Sequence, residues 1–179
     1  MTNPPELPLL DEILDDWREL IGADYQGYRN HAHRMIQFCL ALKACSEEEK
    51  QKIIIAGAFH DIGIWIDDTL DYIPPSRVPA RTYLEAKGLA AWSTEIELMI
   101  EQHHKMRTFK DDRTPLVEIF RKADLVDFSL GLFRCGLAKS EVDEIRSSLP
   151  NAGFHWMLVK RAIRWFVKHP LDPAPMFKW

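Results

Sequence analysis

The chain has 179 residues, of which 46% are apolar and 28% are charged, and its formal net charge is −4 at neutral pH. This composition excludes a disordered chain and predicts one domain that buries a sizeable core. The acidic surplus and the absence of a basic block argue against a nucleic acid polymer as partner, whereas a phosphorylated small molecule stays compatible with them.

The N-terminal segment and the cysteines indicate a cytoplasmic protein. Residues 1–17 have neither the basic start nor the apolar run of a signal peptide, and no stretch approaches the roughly 18 apolar residues of a membrane span. Cys39, Cys45 and Cys135 follow no disulfide pattern, which favours a reducing compartment. We therefore expect no membrane partner.

Helical periodicity runs through nearly the whole sequence, and no alternating strand pattern exceeds a few residues, so we predict an all-α single-domain bundle. The predicted helices cover residues 9–20, 28–44, 46–63, 80–88, 94–104, 115–130, 140–150 and 153–168. The proline-containing segment 65–79 is predicted to be a loop. The tail after residue 168 is expected to lie extended, with Phe177 and Trp179 docked on the body or on a second subunit.

Three hydroxyl residues are each followed three positions later by an acid, a spacing typical of a helix start. These pairs are Ser46 with Glu49, Thr94 with Glu97, and Ser140 with Asp143. We expect each pair to begin the helix that contains it.

The second predicted helix carries a histidine on its apolar face. Tyr28 and Met35 belong to a stripe of apolar residues at three- and four-residue steps, and His31 occupies the missing position between them. His31 is therefore expected to point inward. His33, about 200° around the helix, is expected to face solvent.

An apolar run that contains Ile53–Ile55 and Phe59 ends with His60 and Asp61. A buried carboxylate is costly unless it is hydrogen-bonded, paired or bound to a metal. The two side chains would point about 100° apart within a helix. They can reach a shared metal if the helix ends there, as the following Gly63 suggests.

Two later helices also place polar side chains on apolar faces. Asp124 lies between Phe120 and Phe128 at four-residue spacing, and Asp127 could also be turned inward. His103 continues the buried face of the preceding helix, and His104 stays within reach of that face.

Each such residue alone is best interpreted as a hydrogen-bonded structural residue, but four helices that each carry one favour a common metal site. Two imidazoles with two carboxylates suit a divalent cation such as Mn, Fe, Co, Ni or Zn.

The ordered set of His31, His60-Asp61 and Asp124 resembles the HD-domain superfamily of metal-dependent phosphohydrolases. The segments "YRNH", "FHDIG", "IEQHH" and "KADLVD" match the local contexts of that superfamily. The resemblance covers about residues 25–130 and implies an HD-domain helical bundle with a metal held by His31, His60, Asp61 and Asp124. Residues 1–24 would then be a lead-in helix, and 131–179 would be C-terminal helices and a tail packed on the core.

The doubled histidine His103-His104 fits superfamily members that hold a second metal. Those members usually carry a further histidine after the HD pair, and this sequence has none from 62 to 102. We therefore expect one metal ion. His103 and His104 would contact substrate or water, and a second ion at these two residues is the alternative.

The resemblance implies a hydrolase of a small phosphorylated substrate, with a nucleotide phosphate as one option. Its divalent ion, one of Mn, Fe, Co, Ni, Zn or Mg, would activate water that Asp61 orients, with His103 and Lys105 also catalytic. Lys105 is the preferred cation for phosphate. Arg77 and Arg81 are interpreted as surface charges, and Arg34 is open to either role.

Three alternatives remain on the same scaffold: a hydratase or lyase, a binuclear iron oxygenase, and a non-catalytic ligand-binding module. The absent intermediate histidine counts against the oxygenase, whereas a complete ligand set counts against the binding module. A homo-oligomer is also an open alternative.

Overall fold

The computed structural model describes residues 4–177, and within this range the chain contains α-helices and short 3-10 turns but no strand. The prediction of an all-α single domain is confirmed. The helices are α1 Pro8–Asp15, α2 Arg18–Ile21, α3 Tyr25–Leu42, α4 Glu47–Phe59, α5 Gly63–Ile66, α6 Ile73–Ala86, α7 Ser93–Gln102, α8 Pro115–Phe128, α9 Lys139–Ser148 and α10 Phe154–Lys168. Among these described helices, none has the length and apolar character needed to cross a membrane.

The centre of the fold is built from α3, α4, α7 and α8. Helix α3 packs against α4 and α8, and α7 packs against α4 and α8, so the four helices surround one core. Met35, Ile53, Ile100 and Phe120 are completely buried there, one from each helix. The three- and four-residue spacing of apolar side chains thus turns one face of each helix toward a common centre.

Helix α4 begins as predicted. The Ser46 hydroxyl accepts a hydrogen bond from the Glu49 N–H, and the Glu49 carboxylate accepts one from the Ser46 N–H. The helix ends at Phe59, and α5 begins after a short turn. Gly63 is required at that point because a Cβ there would lie 2.2 Å from the Tyr72 carbonyl oxygen.

The predicted loop at 65–79 is wrong at both ends, because α5 extends to Ile66 and α6 already begins at Ile73. Pro74 and Pro75 lie in the first turn, where backbone N–H groups have no partner within the helix. Pro79 lies inside α6 and removes one further backbone donor. The buried Ala80 and Leu84 hold the helix in place despite that loss.

Two predicted helix starts are also wrong. Helix α7 begins at Ser93 after a 3-10 turn, and no side chain caps it. Glu97 instead accepts hydrogen bonds from Arg77 and Arg81 of α6. Helix α9 begins at Lys139. The acid that caps it is Glu141 and not Asp143, because the Glu141 carboxylate accepts the hydrogen bond from the Ala138 N–H.

His33 is buried, contrary to the expectation that it faces solvent. The segment before α1 covers that side of α3, and His33 Nε2 lies 2.9 Å from the Pro5 carbonyl oxygen. The helical angle alone could not reveal this, because the covering residues come from outside the predicted bundle.

The C-terminal part packs against the bundle: α9 and α10 both contact α3. In the tail, Phe177 lies against the rings of His104 and Phe128. Of the two expected docking places, the body of the protein and a second subunit, Phe177 thus occupies the first. Trp179 lies outside the described residues. The division into segments 1–24, 25–130 and 131–179 stays a prediction.

Candidate metal centre

The structure brings the four expected ligands together. His31 Nε2 lies 3.0 Å from His60 Nε2, 3.5 Å from Asp61 Oδ2 and 3.7 Å from Asp124 Oδ1. His60 Nε2 lies 3.3 Å from the same Asp61 oxygen. All four side chains are buried. They come from α3, from the turn after α4 and from α8, so only the packing of these helices creates the cluster.

The proton positions on His31 and His60 follow from their other ring nitrogens. His31 Nδ1 lies 2.7 Å from the carboxylate of Asp127, and His60 Nδ1 lies 2.9 Å from the Gly57 carbonyl oxygen. Both neighbours are acceptors, so both Nδ1 atoms carry the hydrogen. Burial acts to lower the pKa of His31, but the hydrogen bonds to Asp127 and Asp61 outweigh it and raise that pKa to about 9. Without a metal, His31 Nε2 therefore also carries a proton at neutral pH and donates it to His60 Nε2, and a divalent cation between the two atoms would take the place of that proton.

A second group of donors adjoins the first. His103 Nε2 lies 3.4 Å from Asp61 Oδ1, and His104 Nδ1 lies 3.4 Å from Asp124 Oδ2. Asp61 and Asp124 therefore each direct one oxygen toward His31 and His60 and the other toward the doubled histidine. The two carboxylates connect both groups.

Two atoms of this second group are buried without a hydrogen-bond partner in the described part of the chain: Asp61 Oδ1 and His103 Nε2. His103 Nδ1 is bound at 2.7 Å to the Ile100 carbonyl oxygen, so its Nε2 is also a lone-pair donor. Buried polar atoms are normally satisfied, and unsatisfied ones call for an explanation. The two atoms face each other at 3.4 Å, and a cation held between them would be a partner for both.

The donor atoms are close enough for metal binding. Ligand atoms of His31, His60 and Asp61 lie within 4.8 Å of one another, and so do those of Asp61, His103 and His104. Ligands on opposite sides of an ion at bond lengths of about 2.0–2.2 Å are separated by similar distances. Asp124 belongs to neither of these two sets, although its Oδ1 lies 3.7 Å from His31 Nε2 and 4.0 Å from His60 Nε2. Each set of three residues could hold one divalent cation.

The electrostatics of the cluster separate its two carboxylates. Burial acts to raise the pKa of Asp61, but His60, His103 and His31 outweigh it and hold that pKa well below the ordinary value. The pKa of Asp124 is raised, because its burial outweighs the same histidines. Asp61 is thus the more firmly ionised of the two.

Behind His31 lies a buried ion pair. Arg34 donates to Asp127 from Nε at 2.6 Å and from Nη2 at 2.8 Å. Burial opposes ionisation of Asp127, yet the bonds from Arg34 and His31 lower its pKa below the ordinary value. Arg34 is therefore a partner of Asp127. An ionised Asp127 fixes both the tautomer and the orientation of His31.

Two contacts at the cluster could not be predicted from the sequence patterns. Tyr72 is buried, and its hydroxyl lies 2.6 Å from His104 Nε2. The ring of Phe154 stacks on His31, with centroids 4.2 Å apart. The aromatic character of both residues was visible in the sequence, but no spacing signal linked either one to a histidine.

The basic residues considered for phosphate binding lie in different parts of the structure. Lys105 lines a cavity that borders His103 and His104. Arg77 and Arg81 bind Glu97 and do not contribute to the cluster. Arg121, which the sequence interpretation did not identify, also lines the cavity, but its guanidinium group is held by Glu118.

No protein-family model matches the chain, and no curated protein and no solved structure matches it either. The function of the protein is therefore inferred from the geometry of the cluster.

Proposed function

We propose that this protein is a metal-dependent hydrolase of a small phosphorylated substrate. The observation that supports the proposal is the convergence of two histidine Nε2 atoms and two shared carboxylates at one buried point. The resemblance of the ordered ligand set to the HD-domain superfamily supports the same reaction class.

His31, His60, Asp61 and Asp124 would hold the first divalent ion, and His103 and His104 would join the two carboxylates in holding a second. A bound divalent cation lowers the pKa of water and neutralises charge on a phosphoryl oxygen. Both groups of donors favour two ions over the single ion expected from the missing intermediate histidine.

The protein's own residues then have separate tasks. Asp127 and the Gly57 carbonyl group hold His31 and His60 in the tautomer that leaves Nε2 available. Asp61, ionised in this environment, accepts a hydrogen bond from the attacking water and orients it. Lys105, at the cavity, neutralises charge on the phosphate.

A binuclear iron oxygenase is the second candidate, because the donors of the second group share Asp61 and Asp124 with the first. The two candidates differ in metal and in product. A hydrolase releases inorganic phosphate without oxygen, whereas the oxygenase contains two iron ions and consumes oxygen.

The test combines metal analysis of the purified chain with a phosphate-release assay on small phosphate esters. We expect two divalent ions per chain and phosphate release that falls at least a hundredfold in Asp61→Ala. Asp71→Ala is the matched control, since it makes the same change at an exposed position and should keep full activity.

Other results would contradict the hydrolase. Two irons per chain with oxygen uptake and no phosphate release would establish the oxygenase. Failure to bind any divalent metal under anaerobic and aerobic loading would leave a non-catalytic ligand-binding module.

A further inference from the structure

We propose that the substrate carries a compact apolar or aromatic group beside its phosphate, and that this group lies against Phe128, Phe133 and Phe177. The inference rests on the proposed function, because it names the substrate class for the same site. The part of such a substrate that lies against these rings would be an aryl or alkyl group.

The first observation is a cavity of about 250 Å³ next to the candidate metal centre. His103, His104 and Asp124 form part of its wall, so a ligand in the cavity touches residues of the second donor group.

The second observation is the chemical character of the wall. Phe128 and Phe133 both line the cavity although they are 41% and 56% exposed, so apolar surface faces water at its edge. Exposed apolar surface at a concave site is typical of ligand binding. Leu125 and Met106 extend the same apolar wall.

The C-terminal tail completes the wall. The ring of Phe177 lies with its centroid 5.4 Å from the ring of His104 and 6.3 Å from that of Phe128. These separations are those of packed aromatic rings. A residue more than seventy positions beyond His104 thus lies directly against the doubled histidine, and it is positioned to contact a ligand group there.

The third observation concerns the polar groups of the wall. Ser129 Oγ donates to the Val126 carbonyl oxygen and accepts from the Phe133 N–H, and Arg121 donates to both oxygens of Glu118. These polar groups are thus held within the wall, and the surface that the cavity presents beside them is mainly apolar. Lys105, which also lines the cavity, carries a positive charge that suits the phosphate.

The experiment measures binding of phosphonates, which cannot be hydrolysed, to the metal-loaded protein by titration calorimetry. Phenylphosphonate should bind at least ten times more tightly than methylphosphonate, because only the former fills the cavity. Phe133→Ala and Phe177→Ala should each reduce this ratio to less than about threefold. Leu132→Ala, which removes a neighbouring exposed side chain outside the cavity, is the matched control and should keep the ratio.

A ratio near one in the unaltered protein, or a ratio that survives in both phenylalanine variants, would overturn the proposal. Hydrolysis of phenyl phosphate is measured separately: a binding preference without phosphate release contradicts the hydrolase alone, and phosphate release without the preference contradicts the aromatic pocket alone.

Discussion

Asp127 accepts hydrogen bonds from both His31 Nδ1 and the Arg34 guanidinium group. It thereby connects His31, a candidate metal ligand, to the buried positive charge of Arg34. None of the three side chains is more than 2% exposed. The orientation of His31 therefore depends on the buried ion pair between Asp127 and Arg34.

Replacement of Asp127 by Asn should weaken metal binding and destabilise the fold. Loss of a carboxylate behind a ligating histidine lowers metal affinity about 10- to 100-fold. The uncompensated Arg34 should also lower the free energy of unfolding by about 3–5 kcal/mol. Metal titration and urea unfolding measure the two effects. Arg34→Lys is the comparison variant, because it keeps the His31 partner and should affect stability more than metal affinity.

Metal removal should lower the thermal stability of the chain. An ion present at a hundred times its dissociation constant adds about 2.7 kcal/mol to the free energy of unfolding. For a chain of this length, removal of the ion should therefore lower Tm by roughly 5–10 °C. Calorimetry with and without a chelator measures the increment.

His31→Gln should reduce this metal-dependent increment by the contribution of the first ion, whereas His33→Gln should retain it in full. Both histidines are buried on α3, but His33 contacts the Pro5 carbonyl oxygen and lies outside the cluster. Equal increments in the two variants would show that the stabilising ion binds at another place.

Tyr72→Phe should reduce the number of bound ions from two to one. When His104 binds a cation through Nδ1, its Nε2–H donates to the Tyr72 oxygen 2.6 Å away. Loss of this acceptor weakens His104 as a ligand but leaves His31 and His60 unchanged. Metal analysis after dialysis measures the stoichiometry. A stoichiometry that remains at two would contradict a role of Tyr72 in the second group.

Glu97 should make the stability of the fold depend on pH below about 4.5. Hydrogen bonds from Arg81 and Arg77 lower its pKa below the ordinary 4.5, despite opposition from burial. A lowered folded-state pKa gives stabilisation that is present above 4.5 and is lost as the pH falls through the folded-state value. Glu97→Gln should therefore cost about 2 kcal/mol at pH 7. The difference between variant and parent should shrink at pH 3, and a constant difference would contradict the assignment.

Much of the centre was predictable, because helical periodicity is a local property. The spacing around His31 and Asp124 indicated that both side chains point inward, and His60-Asp61 followed an apolar run that had to be buried. The same method failed for His33, since the segment that covers it lies outside the pattern. It also failed at Ile73, because prolines in the first turn of a helix were interpreted as a loop.

The sequence by itself determined which helices form and which polar residues each one turns toward the core, because neighbouring residues fix these properties at about 100° per residue. Tertiary structure alone decided how the donors are grouped. The two oxygens of Asp61 serve two sets of histidines, and Asp127 supports His31 from 96 positions away. Such pairings depend on how helices cross in space, and no local spacing in the chain encodes them.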